Sequence, residues 1–546
     1  MNPEVKRRST PLGLHEDPGF DPLDLNNYRF EKLPTRTKSE LEKRTAAFGA
    51  LAALAVFVLC GMVLNIPYLQ VIDPSALTAG AAKEFERLGA EVFSRNAGWT
   101  LGIFLASLVL WTTDAIPNYL TSLMVIIALV LTGVLTEETA YAQLGHPVMW
   151  LNIMSFVLAS MLVTTGVAKR FALWFLIRFG RNASSVFLSF LFINLVLSVF
   201  ISATTAKAVI LLPIFMVVSA IYGARPGPGR NNLGRSLVLQ NLLAVNLGAS
   251  AFVTGSGANL LAAALIGGAI GGSVYFLDWM TAMLPTAIIL MLIGYVLALK
   301  VFFPLSPSER VPHVEGGMKR LREAYLELGP MTRVEVKSVV IFLAILALWA
   351  TDRLHGVSAT SVAFLGAIVA LLPRYGIVQW KDVNIPWNLM LFSAGAYTLG
   401  KGLSATDLPL LSVNAFFDHL GVGHETPFAV LYLALTALMT FSALAFQSKT
   451  MRTMVFVPIA IGVAIRFDYS VLSLALPVAF MIEHVYVLPF NSKPAALLYE
   501  TNHYSLMDGF KFGIAVMMVA WVLNIVAGET WYRFLGITPN GVFGLF

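Results

Sequence analysis

Gln447-Ser448-Lys449-Thr450-Met451-Arg452-Thr453-Met454-Val455-Phe456-Val457-Pro458 is a polar, doubly cationic stretch set between long apolar runs. A second such stretch, Ala203-Thr204-Thr205-Ala206-Lys207-Ala208-Val209-Ile210-Leu211-Leu212-Pro213, aligns with it at a constant offset of 450 − 205 = 245 residues. Thr205 then falls on Thr450, Lys207 on Arg452 and Pro213 on Pro458. A cation followed by apolar residues and proline, placed once in each half, is how an internally duplicated membrane protein builds one polar site from two halves. The pattern predicts a transporter with its site at these stretches.

Outward from them the chain is apolar. Hydrophobic residues make up 57% and charged residues 12% of 546 residues, against roughly 25% charged in a soluble domain. The apolar segments reach the roughly 20 residues that cross a bilayer as helix, and none alternates as an outer-membrane strand does. The expected fold is an all-α polytopic membrane protein. Cys60 is the only cysteine, which excludes an intramolecular disulfide. The net charge of +6 calls for no nucleic acid, because Lys and Arg collect on the cytoplasmic loops of membrane proteins.

Residues 1–44 are polar, proline-bearing and lack an apolar core, so they read as a cytoplasmic tail rather than a signal peptide. Lys6, Arg7, Arg8, Arg36, Lys38, Lys43 and Arg44 flank the first span and put the amino terminus in the cytoplasm. A first helix and loop follow at 45–97, a first repeat at 98–304, a basic cytoplasmic linker at 305–337 and a second repeat at 338–546. Small-residue segments at 150–179 and 387–403 read as hairpins or as simple crossing helices. Glycines and polar side chains break the apolar run at Thr254-Gly255-Ser256-Gly257-Ala258-Asn259, and again at Asn491-Ser492-Lys493-Pro494-Ala495. Such breaks offer free backbone and hydroxyl groups to a solute, with a contact of small residues between helices as the competing explanation of the first.

Five ordered blocks resemble the divalent anion/sodium symporter family of dicarboxylate, citrate and sulfate transporters over roughly residues 98–530. Ser448-Lys449-Thr450, running to Val457-Pro458, is similar to that family's second Ser-Asn-Thr triplet, and the breaks at Ser256 and Ser492 are similar to its two later loops. Trp111-Thr-Thr-Asp114, Trp279-Met280 through Leu284-Pro285, and Pro386-Trp387 through Leu403 agree as well. The first triplet reads Ala203-Thr204-Thr205 if anchored on the proline, or Ser202-Ala203-Thr204 if one residue is inserted. The resemblance implies two inverted repeats with re-entrant hairpins and broken helices, a homodimer in the cell (inner) membrane, and an elevator-like motion. It also implies a small anionic substrate held by Ser202, Thr204, Thr205, Ser256, Asn259, Ser448, Thr450, Asn491 and Ser492, to which this chain's own residues add Lys207, Lys449, Arg452 and Lys493, cations where the family has none.

The departures from the family matter most. Lys449 stands where its triplet has Asn, Lys493 where its loop has Pro, and Ala495 where the loop ends in Asn. An ammonium has the single charge of sodium and donates three hydrogen bonds to oxygens that would otherwise bind the ion. Buried cations cost at least roughly 2.5–3.5 kcal/mol each on insertion scales, so Lys207, Lys449, Arg452 and Lys493 predict an anion that neutralises them. The expectation is exchange of one anion for another, without a cofactor and without sodium. Sodium- or proton-coupled symport is the alternative, with sodium around Thr205, Gly255 and Asn259. Glu483 and His484, in an apolar run, are coupling candidates; Glu483 reads first as a structural counter-ion for Lys449 or Lys493, with a proton relay through His484 as the sharper alternative. A channel selecting anions through its cations is a further alternative. No His-Glu-x-x-His, Gly-x-Ser-x-Gly or Walker sequence is present, so no enzyme is expected.

Overall fold

A computed structural model describes residues 40–63, 66–113, 115–180, 182–199, 201–313, 317–421, 423, 425–446 and 448–545. Most of the tail 1–44, together with Asp114 and Gln447, lies outside them. Among the described residues the chain is helical and has no strand. Five helical segments among the described residues are long and apolar enough to cross a membrane: Ala46–Val63, Glu137–Thr164, Thr204–Ile221, Phe276–Phe302 and Leu506–Phe534. The all-α polytopic expectation is met.

The principal helices, in chain order, begin with α1 (Glu40–Val58), α2 (Ala90–Thr113), α3 (Asn118–Leu131), α4 (Pro147–Thr164), α5 (Val167–Phe179), α6 (Ala183–Ser198), α7 (Thr204–Ile221), α8 (Asn232–Ser250), α9 (Gly257–Ile270) and α10 (Phe276–Val296). The linker holds α11 (Gly317–Leu326). Then come α12 (Arg333–Ala350), α13 (Ala359–Leu371), α14 (Trp387–Ala405), α15 (Leu408–His419), α16 (Phe428–Phe441), α17 (Lys449–Arg466), α18 (Val471–Phe480), α19 (Lys493–Tyr499) and α20 (Leu506–Glu529).

The two sets match element for element. Helices α7 and α17 have 18 residues each, with Pro213 and Pro458 inside them. Their starts differ by 449 − 204 = 245 and their ends by 466 − 221 = 245. The offset read from the sequence is thus the offset of the helices, with Ala203 and Ser448 at the two N-caps. The Trp111 indole donates to the Asn118 carbonyl at 3.4 Å and the Trp349 indole to the Ala359 carbonyl at 3.0 Å, fastening α2 to α3 and α12 to α13 in the same way.

Packing is reciprocal as well. Helix α14 lies on α3 while α4 lies on α13, and α17 lies on α9 while α7 lies on α19. The α14–α3 contact is close because Gly395 has no side chain; a Cβ there would stand 2.7 Å from Ser122 Cα. On α3, Ser122, Val125, Ile126 and Leu129 face inward, whereas Leu120, Leu123, Met124, Ile127 and Leu131 are exposed. That outer stripe is the face a bilayer covers, since lipid tails solvate leucine as a protein core does.

The segment 150–179 folds as parts of α4 and α5, which turn at Gly166 (φ 73°), whereas 387–403 lies within the single unbroken α14. The helix pairs whose turns bear the polar stretches are instead α6–α7 and α16–α17.

The linker is tied to the first half by charge. Arg170 donates to both carboxylate oxygens of Glu335 at 2.7 and 3.2 Å, and to the carbonyls of Gly329 and Leu328. Glu335 also accepts from the Thr332 backbone at 2.6 Å, closing a capping box on α12. Burial pushes the Glu335 carboxyl up, but Arg170 and the Thr332 hydrogen bonds outweigh it and hold the group below its ordinary range. A depressed folded pKa stabilises fully above the ordinary value of about 4.3, and the gain is lost as pH falls through the folded value. Melting temperature should therefore drop on acidification below about pH 4, and Glu335→Gln should be less stable at neutral pH but flatter across that window.

Candidate functional site

The site forms where four segments meet. The α6–α7 turn brings Thr204, the turn after α8 brings Ser256, the start of α17 brings Lys449, and the 3₁₀ turn after α18 brings Glu483. Each is a place where a helix stops inside the protein, leaving backbone groups and short polar side chains free of the i to i−4 ladder.

Lys449 Nζ donates to Glu483 Oε2 at 2.7 Å and reaches Thr204 Oγ1 at 3.4 Å. Ser256 Oγ donates to Glu483 Oε1, and the Asn259 amide N–H donates back to Ser256 Oγ at 3.2 Å. Both oxygens of Glu483 are thus engaged, and the carboxylate is fully buried. The Lys449 side chain keeps 17% exposure. The cluster is therefore sealed on its acidic side and open on its cationic side.

Two more cations stand behind it, in matching roles. Lys207 Nζ donates to Ser198 Oγ at 2.6 Å and to the Val245 carbonyl at 3.2 Å. Arg452 donates to Ser442 Oγ at 2.9 Å, to the Ile482 and Met481 carbonyls at 3.2 and 3.3 Å, and to the Met439 carbonyl. Both side chains have no exposure. Each takes a serine hydroxyl at the end of α6 or just past α16 together with backbone carbonyls, Val245 within α8 for Lys207, and Met439 of α16 with Met481 and Ile482 after α18 for Arg452. The formal charge of this buried centre is 3 − 1 = +2, from Lys207, Lys449 and Arg452 against Glu483.

The two later breaks are also built alike. Ser256 caps α9 with φ −157° and ψ 156°, and Ser492 caps α19 with φ −156° and ψ 157°. Gly255, just before the first cap, admits no side chain, since a Cβ would lie 2.2 Å from the Ala249 carbonyl oxygen. Asn259 Nδ2 holds the Ala249 and Phe252 carbonyls at 2.9 and 3.0 Å, while its Oδ1 is buried without a partner. Asn491 donates to the Ala443 carbonyl at 2.6 Å and accepts from the Leu488 amide at 2.8 Å, pinning its loop to the α16–α17 turn. Ser492 Oγ donates to the Val485 carbonyl at 3.1 Å.

Of the other residues singled out by sequence, Ser202 is buried with its hydroxyl unpartnered. Thr205 is half-buried, Thr450 buried, and Ser448 half-buried as the cap of α17. Lys493 is exposed at the first residue of α19, so the carboxylate of Glu483 is paired with Lys449 and not with it. His484 is fully buried, with both ring nitrogens unpartnered and its ring 5.5 and 5.7 Å from those of Phe480 and Tyr486. Sequence reading missed Ser198 and Ser442. The only signal for them was a lone hydroxyl at the end of an apolar run, which is common in packed helices.

An arrangement of fixed cations and hydroxyls at the meeting point of broken helices grips carboxylates: the ammonium supplies charge, and Thr204 and the helix ends supply directional hydrogen bonds. Among the described residues no cluster of His, Cys, Asp and Glu could hold a metal ion.

Residues 90–538 match the family model described as sodium:sulfate symporter transmembrane region. A chloroplastic dicarboxylate transporter 1 of Spinacia oleracea is 26% identical over 82% of this chain and 78% of its own length. A sodium-dependent dicarboxylate transporter of Staphylococcus saprophyticus is 24% identical over 78% of this chain and 85% of its own. A protein of Cupriavidus necator described as a membrane protein is 23% identical over 90% of this chain and 94% of its own length.

Proposed function

Because the chain belongs to the sodium:sulfate symporter family, we propose that it carries small di- or polyvalent anions of the dicarboxylate type by exchanging one for another, without sodium. It is a multi-pass membrane transporter and not an enzyme. The observation that carries the reading is the formal charge of +2 left by Lys207, Lys449 and Arg452 against Glu483, which equals the charge of a dicarboxylate with opposite sign. Moving an empty site through the membrane would move two uncompensated charges at roughly 2.5–3.5 kcal/mol each, whereas a loaded site is neutral. Only loaded carriers then cross readily, and flux becomes exchange.

We place the protein in the cell's inner membrane with a cytoplasmic amino terminus, as a homodimer whose protomers contain two inverted repeats and carry the site across in an elevator-like motion. The reciprocal packing of α14 on α3 and α4 on α13 supports the repeats, and the family resemblance is the support for the dimer and the motion.

Labelled succinate taken up into proteoliposomes tests the coupling. Uptake should require unlabelled dicarboxylate inside and should be unchanged when external sodium is replaced by choline. Uptake that needs sodium and no internal anion would instead establish symport. That second reading has its own support in Asn259 Oδ1, a buried oxygen without a donor that a sodium ion could use, and in the sodium-dependent relative. The corresponding residue three beyond Ser492 is Ala495, which offers no such oxygen.

A further inference from the structure

Away from the site, α11 of the linker lies against α5. It does so through Leu321, which is buried, and the Tyr325 ring under the Arg170 guanidinium, 5.9 Å away. The remaining face of α11 is cationic. Lys319 is paired with Glu323 at 3.9 Å, whereas Arg322 is exposed and has no ion-pair partner among the described residues. Arg178, in the last turn of α5, is also exposed and unpaired among them. These two arginines converge on a pocket of about 190 Å³ whose other walls are Trp174, Ile177 and Tyr325.

The neighbours of the pocket are apolar and outward-facing. Trp174 is 45% exposed and Phe179 48%, and Trp174, Phe175, Phe179 and Phe192 form one run of ring contacts. An exposed tryptophan beside arginines at a helix end is the composition of a bilayer's headgroup layer, where the ring is half wetted and the cations meet phosphates. Two guanidinium forks without a carboxylate between them offer phosphate oxygens paired hydrogen bonds. A soluble anion would use only the arginines, whereas a phospholipid also covers the aromatic flank.

We propose that Arg178 and Arg322, backed by Trp174, Ile177 and Tyr325, bind the phosphate of an anionic phospholipid and so fasten the linker helix to the membrane surface beside α5. The walls are already fixed for this. Arg170 bonds Glu335 and the Gly329 and Leu328 carbonyls, which holds the far end of α11 against α5 before any lipid arrives.

The full-length protein, purified in neutral detergent, is titrated with phosphatidylglycerol or phosphatidylcholine and read by native mass spectrometry and by melting temperature. Phosphatidylglycerol should be retained preferentially and raise the melting temperature. Each arginine near an anionic surface contributes roughly fivefold, so Arg178→Gln with Arg322→Gln should weaken retention about twenty-five-fold. The Arg178→Lys, Arg322→Lys pair should fall between, and Lys381→Gln, an exposed cation elsewhere, should leave retention unchanged. Equal retention of the two lipids, or an unaltered double glutamine variant, would overturn the proposal. So would inorganic phosphate that raises the melting temperature as much and displaces the lipid, since the pocket would then be a soluble-anion site. Transport by the double variant in pure phosphatidylcholine vesicles should equal that of the parent, which keeps this outcome separate from the transport reading.

Discussion

Dicarboxylate uptake by Lys449→Gln is expected to fall by two orders of magnitude or more. The substitution removes the cation of the centre that retains exposure, and it leaves the Glu483 carboxylate buried with Ser256 as its remaining side-chain partner among the described residues. Stranding one member of a buried pair costs about 3–5 kcal/mol, so melting temperature should fall too. The Lys449→Gln, Glu483→Gln double variant separates the two effects. It removes both charges, so stability should return to near the parent value while uptake stays lost. The double variant keeps a formal charge of 2 − 0 = +2, so normal transport by it would mean that the pair is structural only and that Lys207 and Arg452 supply the charge the anion meets.

Arg452→Met is expected to be the most destabilising single substitution in the second half. The guanidinium donates to Ser442 Oγ and to the carbonyls of Met439, Met481 and Ile482; Met439 also accepts from Ser442 Oγ at 2.8 Å and Met481 from the His484 amide at 3.4 Å, whereas Ile482 relies on Arg452 among the described residues. A buried acceptor left without a donor costs about 1–3 kcal/mol, and the void left by a truncated buried side chain adds to it, a large share of the roughly 5–15 kcal/mol on which a fold stands. Arg452→Lys should rescue part of this, because an ammonium reaches fewer of these oxygens than a planar fork. Purification yield and melting temperature in detergent are the measures. A stable Arg452→Met protein with a raised KM alone would mean that the guanidinium contacts the anion directly and that its carbonyl contacts are incidental.

Much of this was legible in the chain. The 245-residue offset between Thr205 and Thr450 reappears in both ends of α7 and α17, because a cation, an apolar run and an interior proline are local features that need no tertiary knowledge. The loops at Ser256 and Ser492 were visible for the same reason, since a serine that caps a helix after a glycine or asparagine is a short-range signal. Family membership followed from the order of such blocks. What the sequence withheld was direction. Lys207 and Arg452 look as available as Lys449 in the chain, yet they turn inward to backbone carbonyls that only the packing of α8 and α18 brings beside them. Lys493, by contrast, is exposed. Of the small-residue segments, which read as hairpins or as crossing helices because glycine and alanine mark any close helix packing, 150–179 turns at Gly166 into α4 and α5, whereas 387–403 runs unbroken in α14. In the structure that closeness serves contacts such as Gly395 on Ser122.

Glu483 has no acidic counterpart in the first half. Shifted by the offset of the long helices, 483 − 245 = 238, its place is held by Val238; shifted by that of the serine caps, 483 − 236 = 247, by Leu247. A carrier assembled from two identical halves would find its inward-open and outward-open forms equal in energy and would idle evenly between them. The unmatched carboxylate removes that degeneracy together with its partner Lys449, whose place in the first half, 449 − 245 = 204, is held by Thr204. For a carrier built as proposed, the resting orientation is then written into the chain itself, and a concentration gradient has to work against or with a preference that position 483 already sets.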